Sequence, residues 1–119
     1  MTSSNTTQRV NDLYDAFNRR DSSFVIDQMT DDVKWPRAFK GGYVHGRDAV
    51  RAYWEAQWQE IDPRVDPVAV ESLDDGRLRV EVHQVVKDLE GNLIADMTVH
   101  HIYTFNGNEI AVMDLDQPS

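Results

Sequence analysis

Apolar residues recur at helical spacing through the first half of the chain and at alternate positions through the second. From about residue 6 to 20, Val10, Leu13, Tyr14 and Phe17 repeat along one helix face. Asp21-Ser22-Ser23 interrupts the pattern, and a serine there suits the cap of a second short helix over 24–29. Val33-Lys34-Trp35 reads as a short strand ended by Pro36, and residues 37–46, with three glycines, read as a loop. A third helix is predicted from about Gly46 to Ile61. Its stripe is Val50, Tyr53, Trp54, Gln57, Trp58 and Ile61, and Asp62-Pro63 stops it.

After residue 64 the period changes to two. Val68 and Val70, then Leu78, Val80 and Val82, then 93–105 and 109–116 read as strands. Turn signals separate them at Asp74-Asp75-Gly76, Glu90-Gly91-Asn92 and Asn106-Gly107-Asn108. Helices first and a meander afterwards make an α+β plan: three N-terminal helices covering one face of a curved, mainly antiparallel sheet.

The strand over 93–105 carries adjacent histidines, His100 and His101, which must point to opposite faces. A three-residue loop at 74–76 sets Val70 opposite Val80 and Glu71 opposite Arg79. A two-residue loop at Glu90-Gly91 or Gly91-Asn92 puts Val82, Gln84 and Val86 on one face with Met97, Val99 and His101. The other face takes Arg79, Glu81, His83 and Lys87 with Asp96, Thr98 and His100. His101 is therefore expected inside and His100 outside.

The last turn leaves two registers open. A three-residue loop at 106–108 sets Met113 beside His101 with Ala111 and Leu115 inward. A two-residue Asn106-Gly107 loop brings Val112 opposite His101 and turns Asp114 inward. The second register would set a carboxylate near His101, a catalytic pattern. The cost of burying an unpaired carboxylate favours Met113 inside, a pocket with one imidazole, and weak or absent catalysis.

Composition narrows the function. A chain of 119 residues holds one domain, expected over 8–117 behind a disordered tail at 1–7. The net charge of −9 opposes binding to nucleic-acid phosphates or anionic membranes, because both would be repelled. Without cysteine there is no disulfide or thiolate chemistry. No apolar leader or membrane-length stretch is present, so a cytoplasmic protein is expected. No phosphate-binding glycine loop, nucleophile elbow or zinc-protease motif occurs.

The stretches LYDAFNRRDSSFVIDQMTDDVKWP, GRDAVRAYWEAQW and VHHIYTFNGNEIAVM resemble the SnoaL-like and ketosteroid isomerase-like branch of the nuclear transport factor 2-like superfamily. The resemblance spans about residues 8 to 116 and rests on order and spacing rather than an invariant signature. It implies a cone-like α+β barrel with an apolar pocket, and a dimer that uses the outer sheet face. The isomerase machinery transfers poorly. Its carboxylate base falls near Arg37, which cannot accept a proton at neutral pH. The helix-one tyrosine falls on Leu13, one residue from Tyr14; the protonated acid falls on His101; the supporting tyrosine falls on Trp54. Steroid isomerisation is set aside on these grounds.

His101 is the candidate catalytic group, since imidazole serves as acid or base near neutral pH. The alternative is a buried neutral histidine that only packs. Tyr14, Trp35, Trp54, Gln84, Val99, His101, Tyr103 and Met113 are the expected ligand-binding residues, with Tyr53 a further candidate for the wall. His83, His100 and Asp96 hold metal-competent groups, but their spacing forces no coordination geometry, and no metal is expected.

Two functions follow. One is a pocket protein that binds or turns over a small apolar metabolite with His101 as its main polar group. If it is an enzyme, the resemblance implies acid–base chemistry without a cofactor (isomerase, cyclase or dehydratase), and no cofactor is expected. The other is a non-catalytic ligand-binding or protein-interaction module. A second titratable group within reach of His101 favours catalysis; its absence favours binding. A homodimer through the outer face, around His83, Val85, His100 and Ile102, is expected in either case.

Overall fold

Helices α1 (Ser4–Asn18) and α2 (Ser22–Ile26) lead into strands β1 (Met29–Pro36) and β2 (Tyr43–His45). Helix α3 (Arg47–Trp58) follows, then the strands β3 (Ile61–Ser72), β4 (Leu78–Asp88), β5 (Leu93–Asn106) and β6 (Glu109–Asp116). The computed structural model describes residues 4–37 and 41–116. The sheet order is β2-β1-β6-β5-β4-β3. All neighbours are antiparallel except β1 and β6, which are parallel. Three helices and a curved, unclosed sheet make up the α+β fold expected from the change of period.

Element ends depart from the periodic reading where local hydrogen bonding decides. α1 begins at Ser4, so residues 4–7, read as part of a disordered tail, are helical; residues 1–3 lie outside the described residues. Asp21, not a serine, caps α2: its carboxylate accepts from the Phe24 N–H at 3.3 Å. Gln28-Met29, read as helix, leave it, and Met29 starts a β1 longer than the expected 33–35. β2 lies inside the stretch read as a loop, of which residues 38–40 fall outside the described residues. α3 stops at Trp58 rather than Ile61, which opens β3 instead. Pro63 and Pro67 sit within β3 without breaking it, because an edge strand can spare the missing donors.

Arg20, just past α1, adopts φ 65°, a left-handed conformation usually left to glycine. Its guanidinium donates to the Pro63 carbonyl at 2.9 Å, pairs with Asp62 and lies over the Phe17 and Trp58 rings. These contacts tie the end of α1 to β3 and offset the backbone strain. The core between helices and sheet is centred on Trp54, Met29, Ile110 and Val33, all fully buried.

Candidate functional site

Three β-bulges aim the strands that build the site. The first turn behaves as expected, with Val70 opposite Val80 and Glu71 opposite Arg79; a bulge then falls between Pro67 and Ala69. The second hairpin turns through three residues, since Asp88 N–H donates to the Asn92 carbonyl. A bulge between Val86 and Lys87 cancels the extra residue, so Val82 still faces Val99 and Gln84 still faces Met97.

The third hairpin follows neither expected register. Asn106 pairs with Glu109 around a Gly107-Asn108 turn, and a bulge follows at Ala111. Without that bulge Asp114 would face His101. With it, Leu115 lies opposite His101 and Met113 opposite Tyr103. Met113 is inside at 3% exposure, but one pair further along the ladder than expected. Asp114 turns to the outer face, where Tyr43 donates to it at 2.5 Å.

Between helices and sheet lies a cavity of about 120 Å³. All eight expected binding residues line it: Tyr14, Trp35, Trp54, Gln84, Val99, His101, Tyr103 and Met113. Leu13, Tyr53 and Gln57 also line it, and so do Phe17, Met97 and Leu115, which the sequence reading left out of the site although their spacing put them on the right faces. Trp35 packs edge-on against Trp54 at 5.2 Å between ring centroids, giving the wall a stiff aromatic corner. Arg37, at the isomerase base position, is not part of the lining and donates to the Gly41 carbonyl.

The polar content of this apolar cavity is concentrated in one chain of side chains. Tyr14 Oη lies 2.6 Å from His101 Nδ1 and 2.7 Å from Tyr103 Oη. Tyr14 comes from the first helix, and His101 and Tyr103 are two apart on β5, so the helix-on-sheet packing assembles the group. Burial lowers the His101 pKa from 6.5 to about 4, with His100 next to it contributing, so the ring is neutral at pH 7. Burial likewise raises both tyrosines, and for Tyr14 the Tyr103 hydroxyl adds to the effect. Among the described residues no aspartate or glutamate lines the cavity. The site therefore holds three neutral groups in a chain, with Tyr14 hydrogen-bonded to both His101 and Tyr103.

The outer face keeps its own histidines. His83 Nε2 is 2.7 Å from Asp96, and His100 Nε2 is 3.3 Å from Glu81, while His100 Nδ1 is buried without a hydrogen-bond partner. Among the described residues no three His, Cys, Asp or Glu side chains cluster for an ion. Ile102, expected on this face, is already 7% exposed in the single chain. Among the described residues no helix is long and apolar enough to cross a membrane.

Three helices and a curved sheet around an apolar, aromatic-walled cavity make up the cone fold of the nuclear transport factor 2-like superfamily. The SnoaL-like domain model matches residues 10–113, and the chain belongs to that family. Among solved structures, it is similar to a nuclear transport factor 2-like protein of unknown function from Burkholderia pseudomallei. Identity is 25% over 98% of this chain and 92% of that one, with a TM-score of 0.82. A proposed polyketide cyclase from Xanthomonas campestris is 21% identical over 92% and 87% of the two chains, with a TM-score of 0.76. TerC, co-crystallised with polyporic acid, is 20% identical over 89% and 85%, also with a TM-score of 0.76. No curated protein sequence matches the chain.

Proposed function

We propose that the protein binds a small, flat, mostly apolar molecule with one carbonyl or hydroxyl centre, and shifts a proton on it without a cofactor. The observation that carries this is the Tyr103–Tyr14–His101 chain, set in a mostly apolar cavity that Gln57 and Gln84 also line. Apolar cavities of about 150 Å³ hold a single benzene-sized ring, so a ligand of one ring matches this volume. The proposed polyketide cyclase and the polyporic acid complex among similar folds support a cyclic ligand.

The chain has two polarities. In one, Tyr103 donates to Tyr14 and Tyr14 donates to Nδ1, which leaves Nε2–H as a donor and the Tyr103 oxygen as an acceptor. In the other, Nδ1–H donates to Tyr14, Tyr14 donates to Tyr103, and Tyr103 O–H faces the ligand while Nε2 accepts. A ligand proton passing to Nε2 drives the second state into the first. Nδ1–H then moves to Tyr14, the Tyr14 proton to Tyr103, and the Tyr103 proton back to a different atom of the ligand. The ligand is tautomerised, every proton is accounted for, and no ion is left in a cavity where an unpaired charge is costly. Tyr14 and Tyr103 are thus the second titratable groups within reach of His101 that favour catalysis over simple binding.

The test uses 2-cyclohexenone as the probe, with tryptophan fluorescence for binding and solvent deuterium uptake by NMR for turnover. Uptake above the buffer rate by a factor of about 100, lost in Tyr14→Phe and His101→Phe, is expected of positioned acid–base groups. Binding without enhanced uptake would leave the non-catalytic module as the correct reading. No binding of this or other single-ring ketones and phenols would reject the pocket function itself. The homodimer through His83, Val85, His100 and Ile102 belongs to the same proposal. Sedimentation showing only monomer at micromolar concentration would refute that part.

A further inference from the structure

A second cavity, about 280 Å³, shares Leu13, Tyr103 and Ile110 with the first and extends toward the turns at Gly76 and Gly107. Its apolar wall comes from Val10, Leu78 and Phe105, and two guanidinium groups, Arg9 and Arg77, stand in its lining. Arg77 is already paired with Asp75 at 2.7 Å. Arg9 is not so neutralised. Its Nε donates to Gln28 Oε1 at 3.0 Å and one Nη2 hydrogen to the Asn108 carbonyl at 2.7 Å, both neutral acceptors. Its guanidinium lies 5.4 Å above the Phe105 ring centroid. Among the described residues no carboxylate lies at ion-pair distance from Arg9.

That arrangement is unusual for this composition, in which 21 acidic residues outnumber 12 lysines and arginines. A half-buried arginine here uses two of its five donors and keeps its charge beside an apolar wall. We propose that this second cavity binds a small aromatic monocarboxylate, with the carboxylate on Arg9 and the ring against Phe105, Leu78 and Val10. The planar guanidinium fork matches a carboxylate, and the aromatic surface beneath it matches a ring. Polyanions such as phosphates are disfavoured. They would leave oxygens unsatisfied against the apolar wall, and the net charge of −9 repels them more strongly than a single carboxylate.

The experiment is a ¹H–¹⁵N titration of the full chain with sodium benzoate, followed in parallel with benzamide, which keeps the shape and loses the charge. Saturable benzoate shifts are expected at Arg9 Nε–H and at the Leu78, Phe105 and Asn108 amides. Benzamide should bind weaker by about tenfold, the value of one charge-assisted hydrogen bond. Arg9→Met should lose benzoate binding by a similar factor while keeping its melting temperature and its fluorescence response to 2-cyclohexenone. Should Arg9→Met fail to fold, Asp75→Asn takes its place: freeing Arg77 should tighten benzoate about threefold. Equal affinity for benzoate and benzamide, undiminished binding in a folded Arg9→Met, or unchanged or weaker binding in Asp75→Asn would overturn the assignment. So would benzoate shifts confined to His101, Val99 and Met97, which would make it a ligand of the first cavity.

Discussion

His100 and His101 are covalent neighbours with opposite surroundings. His101 is buried in the cone, hydrogen-bonded by Tyr14 and held neutral by desolvation. His100 is on the outer face, its Nε2 beside Glu81, in a row with the hydrogen-bonded pair His83 and Asp96. The same side chain is thus part of a neutral, hydrogen-bonded chain on one side of the sheet and a neighbour of surface carboxylates on the other. Strand alternation alone separates them. The difference shows that imidazole chemistry here is set by the face, through dielectric and partner, rather than by residue type.

The comparison breaks most readily at Tyr14. Tyr14→Phe removes the middle of the hydrogen-bonded chain and strands His101 Nδ1 and the Tyr103 hydroxyl in an apolar interior. Each stranded group costs about 1–3 kcal/mol, so a loss of about 3 kcal/mol in urea unfolding at pH 7 is expected. Tyr43→Phe, which removes a hydroxyl bonded to Asp114 on the outer side, should cost less than about 1 kcal/mol. Equal losses would mean the interior is wetter than its geometry indicates.

Acid sharpens the contrast next. The folded pKa of His101, about 4, lies below its ordinary 6.5. The unfolded chain therefore binds more protons between those values, and stability is full above pH 6.5 and falls as pH drops toward 4. For this one group the loss between pH 7 and pH 5 is about 2 kcal/mol. In His101→Phe that part of the acid limb should vanish. A variant with the wild-type slope would show that His101 is not desolvated as its burial indicates.

At pH 7, His101→Phe roughly keeps the ring volume and leaves Tyr14 still bonded to Tyr103. A folded protein weaker by about 1 kcal/mol is expected, with altered affinity for a ligand of the first cavity. Unchanged affinity for that ligand would reduce His101 to packing. The smallest effect belongs outside. His83→Asn, which breaks an exposed pair with Asp96, should shift stability by no more than about 0.5 kcal/mol. A large loss there would signal that the outer face is covered by a partner.

Much of this was readable in the chain because the determining forces are local. The 3.6 and 2.0 periods located the three helices and every strand but β2, and the Asp74-Asp75-Gly76 turn fixed its own register. Alternation then placed His101, Gln84, Val99 and Tyr103 on the inner face, and the mixed α/aromatic stripe placed Tyr14 and Trp54 toward them. The absence of cysteine excluded thiol chemistry.

Other features depended on contacts between distant segments. The bulge at Ala111 decided that Met113 and Leu115, rather than Asp114, face the cavity, and a one-residue slip is enough to reverse that choice. Turn chemistry could not predict it, because the bulge answers to pairing along the whole of β5 and β6. The hydrogen-bonded chain needed Tyr14, 87 residues before His101, to arrive within hydrogen-bonding distance. Periodicity reports which face a side chain takes. Only the packing of α1 against the curved sheet decides which polar atoms meet there, and so whether His101 stands alone or ends a chain of three.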